Sequence, residues 1–407
     1  MLYPKLLLFA LALPLAAAES DLAATATNQL GLDLLRQLAT DRPGENLIFS
    51  PYAIQEALAL VYAGTDGTTR SEMARVLHFP THSEPMPPSF AALRASIDHT
   101  AGSYEKRTAS RLFAQQGNAF GDSFLTFIRE NAQASLQSVD FTGDPAGARD
   151  AINAWMGNQT KNKITNILPP DGVTSKSRLV LASTFAVHAT WDEVFDPAGT
   201  RPRSFHFSRS SEAQTAFITQ TTSAGYSKRE GFSAIILPFG QSDLQLLILL
   251  PDEVEGVVEL SRKLTPPILR DSAKLPNERI ALFVPKFQLE GTALTFGKIL
   301  QKLGMKSVFD LPPGSVNFGN MVSEKSNSTL ALSEVFHRAS IRTNESGSSA
   351  FSPLFVHTDS DRGYGTYNTL QNTGTTPQVH VDHPFLFAVL HRATGTCLLL
   401  GRITDPR

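Results

Sequence analysis

The sequence predicts an α+β domain: a large central mixed or antiparallel sheet with helices around it. Three observations predict it. Residues 333–343 alternate, with Val335, His337, Ala339 and Ile341 on one face and Arg338, Ser340 and Arg342 on the other. That is the period of a strand with one buried side. Residues 384–390 and 397–400 are apolar runs joined by a turn at 392–395, which reads as a hairpin of two buried strands. The N-terminal quarter instead carries helical spacing and helix punctuation.

In chain order, Leu30, Leu34, Leu35 and Leu38 fall on one face of a helix over 28–38. A second helix is capped by Ser50, opened by Pro51 and closed by Gly64. Thr69 and Glu72 have the spacing of a capping box for a short helix ending near Leu77. Residues 90–97 are expected to be helical. Continuous apolar runs at 179–187, 235–238 and 244–251 read as buried strands. No linker or repeat interrupts residues 19–407, so one domain is expected. The long polar segment at 344–378 has no helical period, and inside a compact domain such a segment is usually functional or disordered.

The 407 residues are 42% hydrophobic, enough for a sizeable core, and the net charge of −2 gives no nucleic-acid or anionic-membrane footprint. Neither partner is expected, and the reading is a monomer. Lys5, the apolar run 6–15 and Ala16-Ala17-Ala18 form a secretory signal peptide over residues 1–18, too short to span a bilayer. The expected location is secreted and extracellular. Cys397 is the only cysteine, which excludes an internal disulfide, and its apolar surroundings point to an inert buried thiol. Sequons at Asn158, Asn327 and Asn344 are glycosylation candidates in a glycosylating host. Lys106, Arg107 and Arg111 are too few for a glycosaminoglycan-binding stripe.

The chain contains no Gly-x-Ser-x-Gly elbow, no His-Glu-x-x-His, no P-loop and no Cys-x-x-Cys. An enzyme is not expected, and no metal or cofactor is called for.

These features together resemble the serpins, the serine protease inhibitor superfamily. Glu334-Val335-Phe336-His337-Arg338-Ala339 matches the long strand that precedes the family's reactive-centre loop, and Asp382-His383-Pro384-Phe385-Leu386-Phe387 matches its closing hairpin. Asn46-Leu47-Ile48-Phe49-Ser50-Pro51 is similar to the N-terminal signature, and residues 63–69 to a helix-to-helix turn. Ala109-Ser110-Arg111-Leu112-Phe113 has Ser110 where the family has Asn. Ile152-Asn153-Ala154-Trp155-Met156, followed by Thr160, Lys163 and Ile164, is the most specific segment of the N-terminal half, and Trp191 stands at the family's tryptophan position. The resemblance runs from about residue 22 to 406.

The resemblance implies a serpin-like fold with an exposed reactive-centre loop at about 345–380. Its hinge would include Glu345, Gly347, Ser348, Ala350 and Pro353. It also implies a buried polar cluster that governs how the strands part, at Ser50, Ala53, Ser183 and His337, with Trp191 in the same shutter and breach group. Ala53 and Ser183 are smaller than the family's Ser and Asn, so a sheet that parts differently is expected. From the residues alone, His337 reads equally as a satisfied core histidine.

By this resemblance a target serine protease would cut the loop, which would then insert as a central strand. Insertion requires small residues on one face. Ser348, Ala350, Ser352 and Leu354 would turn inward, and Ser349, Phe351, Pro353 and Phe355 outward. Phe351 departs from the family's small residues, and Pro353 lacks a ladder donor. Arg362 is the only Lys or Arg between Arg342 and Arg392, and the family's spacing from the hinge glycine lands on Asp361 or Arg362. The expected reactive bond is Arg362–Gly363, for a trypsin-like protease, although counting back from Asp382 lands near Thr373. The rival reading is a non-inhibitory carrier, hormone-binding or chaperone-like serpin.

Overall fold

A computed structural model describes residues 7–80, 86–98, 105–132, 134–159, 168–240, 242–290, 294–323, 330–349 and 376–407. From the N-terminus come α1 (Leu7–Asp41), β1 (Leu47–Phe49), α2 (Pro51–Ala63), α3 (Gly67–Val76) and α4 (Met86–Asp98). Next are β2 (Glu105–Gln115), α5 (Asp122–Ala132), β3 (Ser135–Val139), α6 (Pro145–Gln159) and β4 (Leu179–Thr190). The antiparallel run β5 (Arg201–Ser208), β6 (Ser211–Arg229), β7 (Phe232–Pro238) and β8 (Leu244–Pro251) is followed by α7 (Val257–Lys263) and α8 (Pro266–Ser272). β9 (Asn277–Pro285), β10 (Gln288–Glu290), β11 (Leu294–Thr295) and α9 (Gly297–Leu303) precede β12 (Leu332–Asn344). The chain closes with β13 (Gly347–Ser349), β14 (Gln378–His380), β15 (Phe385–His391) and β16 (Thr396–Ile403).

The strands form two sheets. One is ordered β1-β16-β15-β8-β7-β6-β9-β14, with β5 also on β6. The other is ordered β10-β12-β13-β4-β2-β3, with β11 on β12 and β4 also paired to β12. β8, β15 and β16 are buried along their whole length, which is why their sequences are unbroken apolar runs and not alternating ones. The predicted hairpin is β15–β16.

The second sheet has a different cover on each side. α2 lies against its inner face, where Tyr52 meets Phe185 edge to face at 6.2 Å. α6 covers the outer face through a separate apolar cluster that includes Phe113, Ile152, Trp155, Val180, Ala182 and Phe336. This explains why Phe336 is buried although it alternates away from the inner face of β12.

The caps of α2 are as expected, with Ser50 Oγ accepting from the Ala53 N–H and Pro51 in the first turn. The predicted helix over 28–38 is the C-terminal part of α1, and the predicted cut after Ala18 falls within the same span. The capping box at Thr69 and Glu72 is a correction. α3 begins earlier and is capped by Asp66, whose side chain accepts from the Gly67 N–H. Thr69 Oγ1 instead accepts from the Asn317 N–H, and Glu72 accepts from Lys306 and Ser307 N–H groups at 2.8 and 2.7 Å. Long-range partners took the side chains that local spacing had assigned to the helix.

Candidate functional site at the seam between two parallel strands

β4 and β12 pair in parallel from Leu179↔Leu332 to Phe185↔Ala339. Above that point they separate, and β13 lies between them, antiparallel to both. Gly347, Ser348 and Ser349 face Asn344, Thr343 and Arg342 on one side and Thr190, Ala189 and His188 on the other. The seam is therefore closed at one end and already holds three residues of an extra strand at the other.

A tight turn feeds β13. Asn344 Oδ1 accepts from the N–H groups of Ser346 and Gly347, each at 3.0 Å, an arrangement that asparagine side chains favour. The segment after β4 clamps this turn. The Trp191 backbone N–H donates to Ser346 O at 2.9 Å, its indole N–H donates to Asn344 O at 2.8 Å, and the Phe195 N–H donates to Glu345 O at 2.8 Å. Trp191 is itself stacked on Phe239 at 4.8 Å. Burial alone would raise the Glu345 pKa, but hydrogen bonds from Thr200 Oγ1 (2.7 Å) and Lys286 Nζ (3.0 Å) hold the carboxylate below its usual range. Gly347 is dictated by space, since a Cβ there would lie 2.3 Å from Ala189 O and 2.6 Å from Thr190 Cα.

Midway down the closed part sits His337, fully buried. The Ser50 N–H donates to its Nε2 at 2.9 Å, so the ring proton belongs on Nδ1, which lies 3.1 Å from Ser183 Oγ. Burial pushes its pKa down to about 3, opposed only by a hydrogen bond with the Ser183 backbone, and the ring is neutral at physiological pH. The Ser183 bond crosses directly from β4 to β12. The small residue at Ala53 does not leave the histidine short of partners, because the Ser50 backbone provides one. His337 is thus both a satisfied core histidine and a tie across the seam.

The remaining sequence-predicted positions are less informative. Asn158 is exposed near the end of α6 and Asn344 is half-buried. Asn327, Ala350, Phe351, Pro353, Arg362 and Gly363 lie outside the described residues, as do Thr160, Lys163 and Ile164. Arg111 lies over the Trp155 ring at 4.8 Å and donates to Gln137, so it is committed to packing. Cys397 is buried, and burial pushes its thiol pKa up, as an inert cysteine requires. No described helix is long and apolar enough to cross a membrane. Sequence reasoning missed the clamp from Phe195, Thr200 and Lys286. No local pattern names Lys286 as the partner of a residue 59 positions away.

The family model described as Serpin (serine protease inhibitor) matches residues 25–406. The chain belongs to the serpin family. Among its relatives, Serpin B10 of Rattus norvegicus is 30% identical, covering 94% of this chain and 99% of that one. Plasminogen activator inhibitor 2 of Homo sapiens is 28% identical over 94% of this chain and 99% of its own. Among solved structures, uncleaved ovalbumin superposes with a TM-score of 0.81 at 25% identity, covering 94% of this serpin and 99% of ovalbumin. The resemblance read from the residues is therefore membership, and the described chain before residue 350 ends within the seam, at β13.

Proposed function

We propose that this serpin is a secreted inhibitor of a trypsin-like serine protease, acting by cleavage of its loop and insertion of the cut loop into the seam. The observation that carries this is β13, which stands between β4 and β12 in the direction and register that a fully inserted strand would continue. In the attack, the protease's own activated serine forms an acyl-enzyme with the loop. Insertion then moves the tethered protease away from the attack position before water can release it. Residues 1–18 support the secretory route.

The sheet's topology supplies a direction to the process. Below β13 the seam is a parallel pair, and parallel pairing is slightly less stable per residue than antiparallel. An inserted strand running as β13 does would replace that pair with two antiparallel ladders. Extending the register residue by residue would set Ala350 opposite Val187 and Ile341, Ser352 opposite Phe185 and Ala339, and Leu354 opposite Ser183 and His337. All of these partners except Ser183 and His337 are apolar, which suits the small inward face.

A second reading, a non-inhibitory carrier or chaperone-like serpin, is favoured by Phe351 and Pro353. The same register would put Pro353 opposite Thr184 and Arg338, at a central position where a ladder N–H is required. A missing partner costs roughly 1–3 kcal/mol. That is too little to reverse insertion of a whole strand, but 1.4 kcal/mol in a barrier is about a factor of ten in rate. Mixing the protein with trypsin-like proteases should give an SDS-resistant complex, with a first cut at Arg362–Gly363 by mass spectrometry. Cleaved chain without complex would favour the second reading, and a first cut elsewhere would displace the reactive bond.

A further inference from the structure

We infer that the closed end of the seam carries a binding site for a small polyhydroxylated ammonium compound, whose occupancy opposes separation of β4 from β12. A cleft of 380 Å³ opens there between the segment leading into β4 and the start of β12. This is within the range of small-molecule sites, roughly 300–1,000 Å³. It is lined on the β4 side by Asp171, Thr174, Lys176 and Ser177, and on the β12 side by Ser333, Glu334 and Phe336.

The lining specifies the ligand. Two carboxylates face one lysine, leaving the cleft one negative charge in excess. Glu334 is held in place because its Oε1 accepts from Gly297 and Val335 N–H groups at 2.6 and 2.8 Å, while Oε2 accepts no hydrogen bond among the described residues. Burial raises its pKa against those two bonds and the nearby charge of Lys298, so a further cation would relieve the carboxylate. Four hydroxyls also line it, those of Thr174, Ser177, Thr295 and Ser333. Ser177 Oγ accepts from the Thr174 N–H, Thr174 Oγ1 from the Lys176 N–H, and Ser333 Oγ from the Arg178 N–H at 2.8 Å. None of the three donates its own proton to an acceptor among the described residues. The cleft thus offers anionic acceptors beside hydroxyl donors, and an ammonium carrying several hydroxyls satisfies both.

The two walls belong to the two strands that insertion must part. The Arg178–Ser333 bond lies at the foot of the Leu179↔Leu332 pairing. A ligand that bridges the walls binds the closed seam in preference to the open one and so resists opening by its differential affinity. This coupling rests on the insertion reading, whereas the site itself does not.

Glucosamine is the probe, with glucose as the control that lacks the ammonium, both titrated calorimetrically into the uncleaved chain. Glucosamine should bind and raise the melting temperature, and glucose should bind roughly tenfold more weakly or not at all. Glu334→Gln, which keeps an oxygen for the two N–H groups, should erase the difference between the sugars. No glucosamine binding at tens of millimolar, or an unaltered preference in Glu334→Gln, would overturn the site. After the loop is cut, glucosamine affinity should fall. Unchanged affinity in a cut chain whose melting temperature has risen would overturn the coupling. Unchanged affinity with no such rise would mean that the insertion reading has failed while the site stands.

Discussion

The two ends of one seam differ in what holds them. At the upper end β4 and β12 are already apart, and the gap is filled by β13 under a clamp of five hydrogen-bonding groups from Trp191, Phe195, Thr200 and Lys286. At the lower end the strands touch, with His337 and Ser183 tied across the join. The difference teaches where the resistance to insertion lies. On the insertion reading, the three residues of β13 are the first step, and what would remain is to unzip the parallel pairing below and to replace the bond that crosses it.

The largest effect is expected from forcing the upper end to resemble an empty gap. In Gly347→Ala the added methyl meets backbone atoms of Ala189 and Thr190, which cannot move aside without disturbing β4. β13 should be expelled, and the fraction of protease trapped should fall by roughly tenfold or more, since about 1.4 kcal/mol in the insertion barrier suffices for that. Measured inhibitor consumption per protease inactivated, unchanged from wild type, would mean that the pre-paired residues do not help insertion.

A smaller effect is expected at the lower end. An inserted strand moves β4 and β12 apart by a further spacing of about 4.8 Å, so the Ser183–His337 bond must break. The extended register would set Leu354 between the two, and leucine would offer neither a partner. Leu354→Thr should lower inhibitor consumption by about fivefold to tenfold, the lower part of the roughly 1–3 kcal/mol of an unsatisfied buried group. Pro353→Ala should act in the same direction through the missing ladder donor. If neither changes the ratio, the lower seam is not the slow part of insertion.

Most of the fold was legible because it is written in periodicity. The alternation of β12 and the apolar runs of β8, β15 and β16 mark burial directly, and Ser50 and Pro51 mark the start of α2. The upper seam was only half legible. Gly347 and Glu345 could be placed in a hinge, but β13 is three short polar residues with no pattern of its own. Its pairing depends on the turn cap at Asn344 and on partners far away in the chain. Thr69 and Glu72 show the reverse error, where a good local pattern lost to tertiary partners. At His337 the residue was legible but its partners were not, because the backbone N–H that meets its Nε2 is displayed by no sequence pattern.

The lower seam also has a pH signature. With a folded pKa of about 3 against about 6.5 when unfolded, His337 takes up a proton on unfolding between those limits. Its contribution is complete above about pH 6.5 and declines as pH falls towards 3. At pH 5 the loss should be about 2 kcal/mol relative to pH 8. His337→Gln should remove this component, so its deficit in unfolding free energy should shrink by that amount at pH 5. A constant deficit at both pH values would contradict a neutral buried ring.

The smallest effect concerns Asn344. Because its Oδ1 caps the turn, replacing it disturbs the hinge as well as the sequon. Ser346→Ala removes the sequon alone, and in a glycosylating host it should leave inhibition unchanged or slightly improved. A marked loss would show that Ser346 has a role of its own in the turn.

The central claim is that the seam accepts the whole loop once the loop is cut. It is tested most directly by the melting temperature of the chain before and after a single cut within residues 345–380. A clear rise is predicted, since the weaker parallel pairing would give way to two antiparallel ladders. An unchanged melting temperature after complete cleavage would contradict the claim, leaving β13 as a fixed end of the sheet and this serpin as one that does not trap proteases by insertion.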